Sequence, residues 1–464
     1  MEQRGSWSSG LGFVLAAAGS AVGLGNLWKF PYITYANDGG AFVLVYLVCI
    51  LVVGLPIMMA EIMIGRRTQK SPVGAFREAV GARWAWVGGL GVFTGFVLLS
   101  FYSVVAGWTI HSFLQCMKWS IGSFPAAYNG GEAFTSFVAT GPLQVGLAAA
   151  FMLATVVVVS MGVSGGIERA ARILLPLLLA ILVLLLFSAL RMSGAKEALT
   201  FIFRPNFAEL SSHSVLEALG HAFFTLSLGM GAMITYGSYM GHRESVVRSA
   251  CWVVVLDTVI AMLATVIMFS VIFTDPATRE GVGRSTAGML FITLPQLFYT
   301  IVPGGAWLAP LFYLLVGFAA LTSTVSLLEV VASYLIDERG FSRPRAAWFA
   351  GAGIFVLAIG CALSLGAWNA IGSIQLPYFG GGKLGLFSVL DHLVANWLLP
   401  VGGLLVTFAA GWVMKRAVTE SELAEDPPVR GFRFGTWHLF IRFIAPLAVG
   451  AILVAVVLGW ADFS

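Results

Sequence analysis

Charge is what this 464-residue chain has least of: Asp, Glu, Lys and Arg make up 10% of it, against 59% for hydrophobic residues. That balance excludes a soluble globular protein, which could not bury so much apolar side chain at this size. There are only four cysteines, and their spacing shows no pairing, which excludes a disulfide framework and a thiolate metal site. Cys49, Cys251 and Cys361 fall in apolar runs and Cys116 near the end of one, so they read as small buried hydrophobes. His-Glu-x-x-His, the P-loop and a nucleophile constellation are missing, which argues against an enzyme. Gly162-Val-Ser164-Gly-Gly166 matches a hydrolase elbow in letters only, because it joins two apolar runs instead of a strand and a helix. The N-terminus lacks a cleavage pattern, so a signal peptide and export are not expected.

Long apolar runs are plentiful. Spans of about 20 residues read near 10–35, 39–65, 87–117, 142–160, 166–190, 214–240, 250–274, 305–336, 346–366, 387–414 and 436–460, which predicts an all-α polytopic membrane protein with eleven transmembrane helices. Lys and Arg collect on one side: Arg66, Arg67, Lys70, Arg77 and Arg83, then Arg169 and Arg172, Arg243 and Arg248, Arg339 to Arg345, and Lys415 and Arg416. The other side has Lys118, Arg191, Lys196, Arg204, Arg279, Arg284 and Lys383. This bias predicts a cytoplasmic N-terminus and an extracytoplasmic C-terminus in the cell (inner) membrane. It also accounts for the net charge of +4, which therefore makes no case for nucleic acid.

The first span is interrupted at Gly19-Ser-Ala-Val-Gly-Leu-Gly-Asn-Leu-Trp-Lys-Phe-Pro31. Glycines weaken the helix where freed peptide groups find no water, so a polar cavity must satisfy them. Gly19-x-x-x-Gly23 also fits a helix-packing face, but such a face has no use for Asn26 and Lys29 in hydrocarbon. His221 to Gly231 repeats the pattern in the sixth span, with Gly229 and Gly231 beside Thr225 and Ser227. Interrupted spans in corresponding positions point to a transporter's central site. Glu61 in the second span is expected to cap amides of the broken first helix. Tyr102 at mid-membrane fits a ligand contact and a helix-to-helix hydrogen bond equally. Asp257 is the only acid of the seventh span, and Thr322-Ser-Thr324 sets hydroxyls in the eighth. Gly166, nine residues and Pro176 mark a stretch of the fifth span that can kink or unwind.

On these residues the chain resembles the neurotransmitter:sodium symporter family, specifically in 19–31, in Phe223-Phe-Thr-Leu-Ser-Leu-Gly229 and in Ala319-Ala-Leu-Thr-Ser323. Eleven helices and the Gly166–Pro176 spacing are most similar to the bacterial branch that includes multi-hydrophobic amino acid transporters. The resemblance implies one transmembrane transporter domain over 1–464 with a LeuT-like five-plus-five inverted repeat. Its halves would be 10–190 and 214–414, with helices 1 and 6 broken and 436–460 as an additional eleventh helix. It implies two sodium ions: the first held by Ala21, Asn26, Thr225, Asp257 and the substrate carboxylate, the second by Gly19, Val22, Ala319, Thr322 and Ser323. The implied amino acid site is Leu24, Gly25, Leu98, Tyr102, Phe224, Ser227, Met230, Ser323 and Leu327. No charged residue lines it, which favours a hydrophobic L-amino acid. The inner gate would be Arg4, Trp7, Ser238, Tyr239 and Asp337.

The sequence departs from the family at several places. Asp257 stands where asparagine is common and Ala261 lacks the hydroxyl of chloride-dependent relatives, so no chloride requirement is expected. His221 replaces a glutamine and could titrate with Asp257 to return protons. Lys29 stands where the outer gate often has arginine, and its expected acidic partner is missing, with Asp391 the nearest acid. Met230 replaces the phenylalanine of the family's leucine transporter, and the adaptable thioether predicts a broad range of aliphatic and aromatic substrates. The expectation is thus a sodium-coupled importer working by alternating access in the lipid bilayer as a monomer or weak dimer. A proton-coupled carrier of the same fold and a non-transporting amino acid sensor are the alternatives.

Overall fold

The computed structural model describes residues 5–208, 210–275, 288–368, 372, 385–424 and 432–463, and these are helical with no strand. Among the described residues, nine helices are each long and apolar enough to cross a membrane: α2 (Gly40–Thr68), α3 (Ala82–Ile121), α4 (Gly141–Ser160), α5 (Val163–Ala189), α7 (Val246–Ile272), α8 (Gly305–Arg339), α9 (Arg343–Leu363), α10 (Leu386–Val413) and α11 (Phe434–Val457). The broken α1 (Gly10–Ala21 with Gly25–Ala36) makes a further span bent by 48°. The remaining one, α6, is split into Ser212–Thr225 and Ala232–Gly237. The eleven expected helices are therefore all found, with α6 escaping a length test because neither half is long enough alone.

Short helices join the spans at 72–79, 130–139, 195–203, 289–300 and 416–424, none of which the apolar periodicity predicts. The basic stretch after α2, expected as a linker, contains one of them, Pro72–Ala79. Burial sorts the bundle. Most of α3, α7 and α8 is enclosed by protein, whereas α4, α5 and α11 turn most of their apolar surface outward, as lipid-facing helices must. The first half of α1 packs on α5, α7 and α8, so its broken end is delivered to the middle of the molecule.

The α5 stretch from Gly166 to Pro176 is wound in this structure. A π-helical turn occupies Val163–Glu168, and Pro176 lies inside the following helix. All four cysteines are free, with Cys49, Cys116 and Cys361 buried.

Candidate functional site

Helix α1 ends at Ala21 because the next amides turn elsewhere. The N–H of Gly23 donates to Asn26 Oδ1 (3.0 Å) and that of Leu24 to the Tyr102 hydroxyl (3.0 Å). Those amides would otherwise close on the carbonyls of Gly19 and Ser20, four residues back. The Ser20 carbonyl is compensated by the hydroxyls of Ser227 (3.1 Å) and Ser323 (3.2 Å). The Gly19 carbonyl loses its helical partner beside α8, where a methyl group on Gly19 would lie 3.2 Å from Thr322 Cβ. Thr322 Oγ1 itself donates to the Ala319 carbonyl (3.0 Å). Gly19, Ala319, Thr322 and Ser323 are thus drawn to one junction of α1 and α8, with the Val22 backbone leaving the helix at ψ 96° next to them.

The break in α6 is made by left-handed backbone at Ser227 (φ 55°), Gly229 (φ 78°) and Gly231 (φ 76°). A side chain at Gly229 would place Cβ 2.4 Å from the Leu399 carbonyl, so both the dihedral and the packing require glycine there. Glu61 Oε1 accepts the Gly229 N–H at 2.7 Å. This corrects the expectation for Glu61: it caps the broken α6 instead of the broken α1, whose amides Asn26 and Tyr102 have already taken.

Between the two breaks, Asn26 Nδ2 donates to Asp257 Oδ1 (2.7 Å) and Thr225 Oγ1 to Oδ1 and Oδ2 (3.1 and 3.2 Å). Asp257 is 0% exposed, and no ion pair reaches it among the described residues. A carboxylate held at such depth by neutral donors alone is expensive unless a cation joins it. Thr225 and Ala21 line an adjoining cavity, whose wall also carries Gly25, Leu98, Tyr102, Phe224, Ser227, Met230, Ser323 and Leu327. Leu24 contributes its amide to Tyr102 instead of its side chain to the wall. The cavity is about 20 Å³, room for a water molecule; an amino acid would have to part its walls. Ser20 and Ser326, joined at 2.7 Å, also line it and were missed because lone serines in apolar helices usually bond their own backbone.

His221 does not join Asp257. Its ring stacks on Phe30 and lies tilted against Tyr46, 5.6 Å from each, and neither nitrogen has a hydrogen-bond partner among the described residues. The proton route expected between the two has no hydrogen-bonded link among the described residues. Lys29 does not pair with Asp391 either: its ammonium donates to the backbone carbonyl of Phe463 and lies 5.4 Å over the Phe224 ring.

The end of the molecule bearing Trp7 is closed by two networks. The Trp7 indole donates to the Tyr236 carbonyl (2.9 Å) and its N–H to the Tyr239 carbonyl (3.1 Å). The Tyr239 hydroxyl donates to Glu329 (2.5 Å), which also takes Arg343 (2.9 Å). Asp337 accepts the Ser71 N–H at 2.6 Å, and the Ser238 hydroxyl turns back to the Thr235 carbonyl. Arg4 lies outside the described residues. Separately, Ser8 donates twice to Glu168 (2.5 and 2.8 Å), and Arg172 clasps Glu168 (2.7 Å) and both Ser8 and Ser9. Glu168 and Glu329 escaped the sequence reading, although an acid within an apolar span is itself a signal.

Two broken helices meeting at a buried polar cluster are the architecture of a secondary transporter. Comparison with known proteins agrees. A family model described as the sodium:neurotransmitter symporter family matches residues 4–129 and 129–462. An uncharacterised sodium-dependent transporter of Bacillus subtilis is 34% identical over 96% of this chain and 95% of its own. Another, from Methanocaldococcus jannaschii, is 31% identical over 98% and 90%. The crystal structure of MhsT in complex with L-phenylalanine superposes with a TM-score of 0.87 at 38% identity, covering 98% of this chain and 100% of that one. This chain belongs to the sodium:neurotransmitter symporter family and is a sodium-dependent symporter, not an enzyme.

Proposed function

We propose that the protein imports hydrophobic L-amino acids, aliphatic and aromatic, together with two sodium ions and without chloride, by alternating access. The observation that carries the reading is Asp257: a wholly buried carboxylate held only by the neutral donors Asn26 and Thr225, the second of which lines the cavity between the broken helices. The first sodium would take Asp257, Asn26, Thr225 and the Ala21 carbonyl, and the second the Gly19 and Val22 carbonyls with Ala319, Thr322 and Ser323. All are oxygen donors, as a hard cation prefers. The substrate carboxylate would complete the first sodium's shell, so each ligand would bind better with the other present. The negative charge that Asp257 supplies, with Ala261 one turn away, removes the need for a chloride ion. MhsT was solved with phenylalanine, which such a cavity fits once opened.

The two halves, 10–190 and 214–414, would rock about this site, with the N-terminus cytoplasmic. Winding and unwinding of α5 between Gly166 and Pro176 would admit water to the second sodium. Release of Trp7, Tyr239 and Asp337 from their partners would open the inner side, and separation of Lys29 from its partners the outer. The test is uptake of labelled leucine or tryptophan into proteoliposomes under an inward sodium gradient. Accumulation is expected, and it should persist with gluconate in place of chloride. Binding without accumulation would make the protein a sensor. Accumulation driven by a proton gradient alone would make it a proton-coupled carrier.

Tyr102→Phe tests the carboxylate contact. The change removes the acceptor of the Leu24 amide and the donor meant for the substrate. A hydrogen bond to a charged group is worth about 1.5–3 kcal/mol, so the substrate KM is expected to rise roughly 10- to 100-fold. Uptake kinetics at saturating sodium check this, and an unchanged KM would remove Tyr102 from the substrate site.

A further inference from the structure

We propose that residues 460–463, following α11, form a plug that closes the outer approach to the site and serve as the gate partner of Lys29. Phe463 lies beyond the end of α11, yet it is only 5% exposed. Its carbonyl receives the Lys29 ammonium. Its N–H donates to Asn396 Oδ1 at 2.8 Å, while the other end of that amide donates to Asp462 Oδ1 at 2.8 Å. Asn396 is fully buried on α10 and commits both ends of its side chain to this segment. His392, one turn earlier, lies 3.3 Å from the same Asp462 oxygen.

The ring of Phe463 fills a slot between three helices. It lies against Gly220 on α6, where a methyl group would meet it at 2.8 Å, and shares the slot with Lys29, His221, Phe224 and Leu399. Only about 10 Å³ of space is left there, so the slot is filled. Phe224 is the link to transport, because it borders both this slot and the cavity between the broken helices. The plug therefore lies beside a side chain of the cavity wall and ties α1, α6 and α10 together at one point. An amino acid arriving from that side cannot reach the cavity until Phe463 withdraws. Asn396, acting through the segment it holds, is a positioning residue. The inference rests on the transport reading for its consequence, but the contacts that make the plug do not.

The test uses the full chain in proteoliposomes. A cysteine introduced by Ala395→Cys, on the slot wall, reports access to a membrane-impermeant thiol reagent added outside, with the parent protein's labelling subtracted. In sodium and leucine, Phe463→Ala and Asn396→Ala are each expected to raise the labelling rate about tenfold, and Phe463→Leu, which keeps an apolar side chain in the slot, to restore protection. Labelling at the parent rate in Phe463→Ala and Asn396→Ala would overturn the plug. A second arm does not depend on removing side chains: p-benzoylphenylalanine placed at Phe463 and photolysed should cross-link within the chain and stop uptake in proportion to the cross-linked fraction. Undiminished uptake after complete cross-linking would also overturn it. If the unaltered chain takes up nothing, the transport reading fails, and the labelling arm still decides the plug.

Discussion

Asp257→Ala is expected to abolish sodium-driven accumulation while leaving a folded protein. The carboxylate would supply the full negative charge facing the proposed first sodium, and its present partners, Asn26 and Thr225, are neutral. Removing one member of a buried ion pair costs about 3–5 kcal/mol, which corresponds to roughly a 100- to 1,000-fold loss of sodium affinity. Because the substrate carboxylate would share that ion, substrate affinity should fall with it, and raising sodium should restore part of the lost binding. Asp257→Asn separates charge from shape: the amide keeps a hydrogen-bonding group of the same size but removes the charge. Sodium-dependent binding of labelled leucine in detergent measures both variants without requiring transport. A sodium dependence in Asp257→Ala equal to that of the parent would take Asp257 out of the cation site and, with it, the reason for expecting chloride independence.

The fold was legible because its strongest signals are physical necessities of a membrane. Apolar runs had to be helices, and the glycines of 19–25 and 229–231 had to interrupt them. What was not legible is which partner meets which exposed group. Glu61 could be placed at mid-depth from sequence, but the choice between the amides of α1 and α6 depends on Asn26 and Tyr102 reaching the α1 amides first. Likewise, Lys29 needs an acceptor, and local sequence offers only Asp391. The acceptor found is a backbone carbonyl 434 residues away, and a carbonyl has no signature in the alphabet. His221 shows a different limit: its titratable ring suggested a proton carrier, whereas its environment of Phe30 and Tyr46 treats it as an aromatic. The contacts that carry no letter are therefore the ones only the fold supplies.

The second large effect is expected at the break in α6. Glu61→Ala leaves the Gly229 N–H buried without an acceptor, at a cost of about 1–3 kcal/mol. Glu61→Gln keeps an acceptor oxygen and should recover most of the hydrogen bond. Gly229→Ala attacks the same turn from the backbone: Cβ would meet the Leu399 carbonyl at 2.4 Å in a left-handed conformation that itself costs about 1–3 kcal/mol. If α6 is held open by the Glu61–Gly229 contact, both Glu61→Ala and Gly229→Ala should lower the melting temperature in detergent and uptake together. Glu61→Gln should fall between them and the parent, and added sodium with leucine should narrow the gap by mass action on the folded form. A Glu61→Ala protein with parental stability and uptake would mean that the break in α6 is maintained without its carboxylate. The left-handed turn from Ser227 to Gly231 would then be the sole cause of the interruption.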